Sequence, residues 1–174
     1  SLAGKTLVLT RGDIDINNSV EINGDTNGDG KADVTLSGNN AGGIFTVNGN
    51  STNADLVSLN LTGGSDSAVR MNDAGSLDII NSTLSGNSAL DGGAVSAIYG
   101  EVRIINSLLT GNTASNRGGA LFMFNGSVTM INSTVDGNTA NGSGGGLHSN
   151  AGALILLNST VTRNLADADG NGGL

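Results

Sequence analysis

Apolar and polar residues alternate in short runs along the second half of the chain. Leu77 and Ile79 flank Asp78, Val102 and Ile104 flank Arg103, Val128 and Met130 flank Thr129, and Leu154 and Leu156 flank Ile155. A period of two is the signature of a strand with one buried face, and a period near 3.6 is absent throughout. The intervening residues are chemically mixed and the flanking ones are uniformly apolar, so the pairs predict a stacked inward core. Each repeat carries three short apolar stretches divided by turn residues; around one repeat they fall at residues 83–85, 95–98 and 102–105.

The runs repeat at a fixed step. Asn-Ser begins at Asn81, Asn106, Asn132 and Asn158, a step of about 26 residues each time. Paired glycines keep the same step at Gly92-Gly93-Ala94-Val95, Gly118-Gly119-Ala120-Leu121, Gly145-Gly146-Leu147 and Gly172-Gly173-Leu174. A third marker runs from Leu84 to Ala89, Leu109 to Ala114, Val135 to Ala140 and Val161 to Ala166. The first half keeps a degenerate form, with Leu36-Ser37-Gly38-Asn39 and Leu61-Thr62-Gly63-Gly64 again one such step apart. Periods of this length with strand patterning predict an all-β fold, a right-handed parallel β-helix with three short strands per coil. The solenoid is read as one domain over residues 1–174, since each coil shares its core with the next.

The Asn columns fit the same picture. Asn81, Asn106, Asn132 and Asn158 fall at one bend of successive coils, where Asn tolerates a left-handed backbone and side-chain amides can bond along the axis. Asn87, Asn112, Asn138 and Asn164 form a second column. Asn81, Asn132 and Asn158 match the glycosylation sequon, but a ladder packed against its neighbours is the reading preferred here.

Composition narrows the class further. Glycine supplies 29 residues with no three-residue period and no proline, which excludes collagen, and 37% apolar content excludes a disordered acidic chain. The net charge is -8, and the seven Lys and Arg are scattered singly without aromatic neighbours. Nucleic acid and anionic membranes are therefore not expected partners, and no apolar run reaches membrane-spanning length. There are no cysteines, hence no disulfide framework.

Gly-Gly-Ala-aliphatic, followed about 16 residues later by aliphatic-x-x-Asn with Ala two further on, resembles the repeats of chlamydial polymorphic outer membrane proteins. That family's second element usually opens with Phe, where this chain has Leu84, Leu109, Val135 and Val161. Similar repeats occur in autotransporter passengers and adhesin-like surface proteins of bacteria. The resemblance is good over about residues 77–174 and weak before them, and it implies a parallel β-helix exposed outside the cell.

One segment departs from the repeat. Asp25-Thr26-Asn27-Gly28-Asp29-Gly30-Lys31-Ala32-Asp33 places oxygen ligands at alternate positions with glycine at the sixth, as calcium loops do. The spacing matches an EF-hand loop from its first to ninth position and resembles dockerin and thrombospondin-type loops, but Leu36 stands where the bidentate Glu would be. The segment is read as a structural calcium clip, with Asp25, Asn27, Asp29 and Asp33 binding by side chain and Lys31 by its carbonyl. The alternative is a metal-free Asx-rich turn. Asp13 and Asp15 are candidates for the missing ligand, and a weaker echo lies at Asp167-Ala168-Asp169-Gly170-Asn171-Gly172.

Many parallel β-helices act on polysaccharides, and such sites need clustered carboxylates with aromatic rings for the sugars. This chain has Phe45, Tyr99, Phe122 and Phe124, a single His148 without a carboxylate in register, and the pairs Asp78 with Arg103 and Asp91 with Arg117. Opposite-charge neighbours read as surface pairs, so no catalytic constellation is expected. Ice binding would need a flat array of outward threonines; Leu108 and Asp136 interrupt the candidate positions Thr83/Ser85, Leu108/Thr110, Thr134/Asp136 and Thr160/Thr162.

The expectation is thus a structural or adhesive module of a bacterial surface or secreted protein, extracellular and not an enzyme. Calcium is its expected cofactor, and self-association at open solenoid ends or a host glycan or protein its expected partners. A carbohydrate-active or glycan-binding solenoid is the alternative, and ice binding the third. The sequence stops at Gly173-Leu174, where a next strand would begin, so an excised segment or an end-stacking one is expected.

Overall fold

The computed structural model describes residues 2–170, and every regular element in it is a strand or turn. All strand pairs are parallel. The chain is a parallel β-solenoid, as its period demands. One seven-stranded sheet stacks Lys5–Val8, Val34–Ser37, Leu59–Thr62, Thr83–Ser85, Leu108–Thr110, Thr134–Asp136 and Thr160–Thr162. Two further faces run beside it, one through Ile14–Ile16, Phe45–Val47 and Val69–Met71, the other through Val20–Asn23, Asn53–Val57 and Ser76–Ile80.

In the middle coils these two faces join. Val95–Ile105 and Leu121–Ile131 are single strands of 11 residues, where separate short strands were expected. The physical reason is a glycine column at the bend between the faces. A Cβ on Gly100 would stand 2.3 Å from the Gly75 carbonyl oxygen, and one on Gly126 2.3 Å from that of Gly100. Close backbone approach keeps the ladder paired through the bend. A fourth strand, also unexpected, follows the Asn87 corner as Ser88–Asp91, Thr113–Arg117 and Thr139–Ala140.

The predicted core pairs face inward. Leu77, Ile79, Val102, Ile104, Val128 and Met130 are wholly buried, and the column Leu36, Leu61, Leu84, Leu109 and Val135 joins them from the seven-stranded sheet. Leu154 and Leu156 keep the register with Val128 and Met130 but are 39% and 42% exposed, because no described coil covers them. The glycine marker needs one correction. Val95, Leu121 and Leu147 are partners, so Gly144-Gly145-Gly146 is the third copy, with Gly146 in the place of Ala94 and Ala120. Its last copy, Gly172-Gly173-Leu174, and the Asn171-Gly172 end of the calcium-like echo lie outside the described residues.

Both Asn columns form, in unequal surroundings. Asn81, Asn106, Asn132 and Asn158 all have φ near 50°, as expected, and the first three link through amides at 3.2 and 3.3 Å. Of its sequon asparagines, Asn81 is half-buried and Asn132 and Asn158 are exposed, so packing does not shield the last two. Asn87, Asn112 and Asn138 are buried, and each bonds the next at 2.9–3.0 Å while donating to a backbone carbonyl of the preceding coil. The serines of the Asn-Ser marker form a ladder of their own beside the first bend. Ser82, Ser107 and Ser133 are buried, each accepting a backbone amide from the preceding coil.

Candidate functional site

The expected calcium-loop residues are gathered in one turn, which replaces a tight corner. Where the next coil passes from Val57 to Leu59 through Ser58 alone, the first coil runs from Asn23 to Val34. Asp25 Oδ1 accepts the amides of Asn27, Gly28 and Asp29 at 3.1, 2.6 and 3.3 Å, and Oδ2 accepts that of Gly30 at 2.8 Å. Asn27 caps Asp29, Asp29 caps Lys31, and Asp33 accepts the amide and hydroxyl of Thr26. The Gly30 amide, with those of Gly28, Asn27 and Asp29, outweighs desolvation and holds the Asp25 carboxyl below its usual 3.8. Stability from these bonds is present above the unfolded value and is lost as pH falls through the lowered folded one. Asp13, a candidate extra ligand, instead faces Thr46 and Arg70. Among the described residues no three His, Cys, Asp or Glu side chains gather as a metal site, and the polar groups of the turn bond one another.

A charged column runs along the face that carries Ser76–Ile80. Register stacks Glu21, Asp55, Asp78 and Arg103 on successive rungs. Arg103 clamps Asp78 through two nitrogens, and Asp78 is only 7% exposed beneath it. Asp55 has no such clamp: burial first, then Asp78 and Glu21, raise its carboxyl above 3.8 against the pull of Arg103. Carboxylates directly opposite one another on neighbouring strands repel. Asp55→Asn is therefore expected to stabilise the protein at neutral pH by about 0.2–1 kcal/mol. The raised folded value means the gain shrinks as pH falls through it, vanishing well below 3.8, where the wild-type group is protonated in both states. Melting temperatures of both proteins across acid pH check this; a loss of stability at pH 7 would refute it.

The single histidine lies where the repeat spacing puts it, beside Phe122 on the neighbouring coil, but in a packed setting rather than an open surface one. Register stacks Ser96, Phe122 and His148 in one outward column. The His148 ring stacks on Phe122 with centroids 5.7 Å apart, and the Arg117 guanidinium lies 4.6 Å from the Phe122 ring centre. Phe122 is thus sealed, at 3% exposure, between a cation and an imidazole. Arg117 is in turn held by Asp91 at 3.1 Å. Desolvation, and then Arg117, push the His148 ring below 6.5, with Asp91 opposing. His148 is part of a packed stack, and the expected surface pairs Asp78 with Arg103 and Asp91 with Arg117 both form.

The seven-stranded sheet presents the most regular surface. Its outward positions form two columns: Thr6, Thr35, Asn60, Thr83, Leu108, Thr134 and Thr160, then Val8, Ser37, Thr62, Ser85, Thr110, Asp136 and Thr162. Ten of these 14 positions are threonine or serine. The rungs at Val34–Ser37 and Leu59–Thr62 are those of the degenerate Leu36 and Leu61 markers, and Lys5–Val8 adds one that no marker indicated. Among the described residues no enclosed pocket forms.

No family model matches the chain, and no curated protein or solved structure matches it either. The likeness to polymorphic outer membrane protein repeats rests on the sequence markers alone, and what is established is the class: a parallel β-solenoid of stacked, in-register coils.

Proposed function

We propose that this chain is a structural and adhesive segment of a bacterial surface or secreted protein, a stiff acidic rod that works through its outer faces. The observation that carries this reading is the division of polar groups. Inside, the asparagine and serine ladders bind one coil to the next and are spent on that task. Outside, the carboxylates of Asp78 and Asp91 are each held by an arginine rather than poised as acid and base. That pairing weighs against the carbohydrate-active alternative, which needs free carboxyl groups on both sides of a glycosidic bond. The resemblance of the repeats supports the extracellular setting.

Beads coated with the protein, applied to cell and glycan surfaces, test the proposal. Retention that survives mutation of Asp78 and Asp91 supports an adhesive rod, and release of sugar products from a polysaccharide panel would overturn it. Self-association belongs to the same reading. Leu7 and Ile14 at one edge and Leu154 and Val161 at the other expose core positions that another coil, from the same protein or a second copy, would cover. Sedimentation across a concentration series measures it.

Calcium is the proposed tie of the first coil, on the alternate oxygens of Asp25, Asn27, Asp29 and Asp33 with the Lys31 carbonyl. Export into millimolar calcium would then rigidify the entrance loop outside the cell. Asp29→Ala is expected to lower the melting temperature in calcium and change little in chelator. Equal losses in both would leave the loop a metal-free turn.

A further inference from the structure

We propose that the seven-stranded hydroxyl face binds a lattice of ordered water, so that the protein adsorbs to ice. The inference is independent of the adhesive reading and rests on four features of one surface. The first is its order: seven parallel strands pair without a register shift from Lys5–Val8 to Thr160–Thr162. Parallel rungs repeat at about 4.7–4.9 Å, and hydroxyls two residues apart along a strand lie about 6.6–6.8 Å apart. Oxygens joined by hydrogen bonds of about 2.75 Å in a tetrahedral net have second neighbours about 4.5 Å apart, close to the rung spacing.

The second feature is unspent hydrogen-bonding capacity. The hydroxyls of Thr35, Thr62, Thr83, Ser85, Thr110 and Thr134 make no hydrogen bond with the described residues. The inner serines at 82, 107 and 133, by contrast, each donate to a carbonyl two residues back. The third is charge. On a chain of net charge -8, Asp136 is the single ionised group among the 14 outward positions, and it is paired with Arg163. From Lys5–Val8 to Leu108–Thr110 the outward columns carry no charge, which suits an uncharged lattice and not an ionic partner.

The fourth feature separates ice from its nearest rival, a crystalline polysaccharide. Flat sugar surfaces are held by stacked aromatic rings, and Phe45, Phe122, Phe124 and Tyr99 all lie on other strands. A β-branched threonine offers a methyl beside each hydroxyl, so the face can order water at its methyls and anchor it at its oxygens. Leu108 replaces one hydroxyl with an apolar group within that pattern, and Asp136 marks where the uncharged stretch ends.

Slow freezing of a dilute solution, with the share of protein retained in the ice measured against a non-binding control protein, is the test. The wild type is expected to enter the ice and to shape growing crystals, and exclusion at the level of the control would overturn the proposal. Thr62→Arg with Thr83→Arg, checked for native circular dichroism and melting temperature, is expected to abolish retention. Thr129→Arg, on another face, is expected to preserve it. Equal retention of both variants would show that this sheet is not the ice-binding surface. Binding of the wild type to crystalline cellulose or chitin with no retention in ice would assign the face to carbohydrate and sink the ice reading.

Discussion

Gly119→Ala is expected to prevent the middle coils from stacking, with a cost of about 4 kcal/mol or more. The added Cβ would stand 2.1 Å from the Gly145 carbonyl oxygen and 2.6 Å from the Thr139 amide nitrogen and carbonyl oxygen. All three are backbone atoms of the next coil, so no side-chain rotation relieves the clash. Gly119 also donates to Gly144 and accepts from Gly93, which ties the same residue to both neighbouring coils. A shift that admits the methyl group must therefore break ladder bonds on one side or the other. Gly111→Ala is the matched control. Its φ is +63° with nothing within 4 Å, so only the left-handed backbone penalty applies, about 1–2 kcal/mol. Thermal unfolding should show a drop of a few degrees for Gly111→Ala and loss of soluble folded protein, or a far larger drop, for Gly119→Ala. Similar losses for the two would mean that coil spacing adapts to a methyl group.

Asn112→Ala is expected to cost about 3–5 kcal/mol, since several buried groups lose their partners together. Asn112 Nδ2 donates to the Leu84 carbonyl at 3.0 Å and to Asn138 Oδ1 at 2.9 Å. Its Oδ1 accepts the Asn87 amide and side chain at 3.1 and 3.0 Å. The position is wholly buried, so bulk water does not replace these bonds. Asn106→Ala, in the exposed ladder, removes a left-handed preference and two solvent-exposed side-chain bonds at 3.2 and 3.3 Å, for about 1–2 kcal/mol. At roughly 2–4 °C per kcal/mol for a chain of this size, the first variant should melt about 10 °C or more below the wild type and the second only a few degrees below. Hydrogen exchange adds a spatial check: protection should fall first in the coils that contain Asn87 and Asn138. Equal effects at 106 and 112 would show that burial of the ladder contributes nothing.

The repeat was legible because its markers are structural necessities. Asn81, Asn106, Asn132 and Asn158 recur since each turns the same left-handed corner, and Leu84, Leu109 and Val135 recur since each fills the same inner column. Legibility failed where a coil meets its need differently. The first rung of the hydroxyl face, at Thr6, carries none of the markers, and those at Thr35 and Asn60 keep only the degenerate Leu36 and Leu61 runs, without an Asn-Ser corner. Asp55 went unnoticed because the step to its partner Asp78 is shorter than the regular step of the later coils. The repeat spacing already places His148 beside Phe122, but the Arg117 contact depends on a side chain crossing from one face to the strand beside it, which no one-dimensional pattern displays. The merged strands needed the glycine column at 75, 100 and 126 to be recognised as a bend that stays paired.

The first coil takes a longer step, from Leu7 to its partner Leu36, than the next takes from Leu36 to Leu61, and the sheet registers the difference nowhere. The surplus is held by the long corner between Asn23 and Val34, which seats Gly24 over Ser58 and leaves the rungs above and below in place. That corner is thus a port at which length is free, since closing a somewhat longer loop adds little to its entropic cost. A peptide epitope or reporter hairpin grafted between Asn27 and Lys31 would be carried on the rod at a fixed height along its axis. Later coils close the same corner with the buried serines 82, 107 and 133, so the long first corner is the port that takes cargo and leaves the ladder intact.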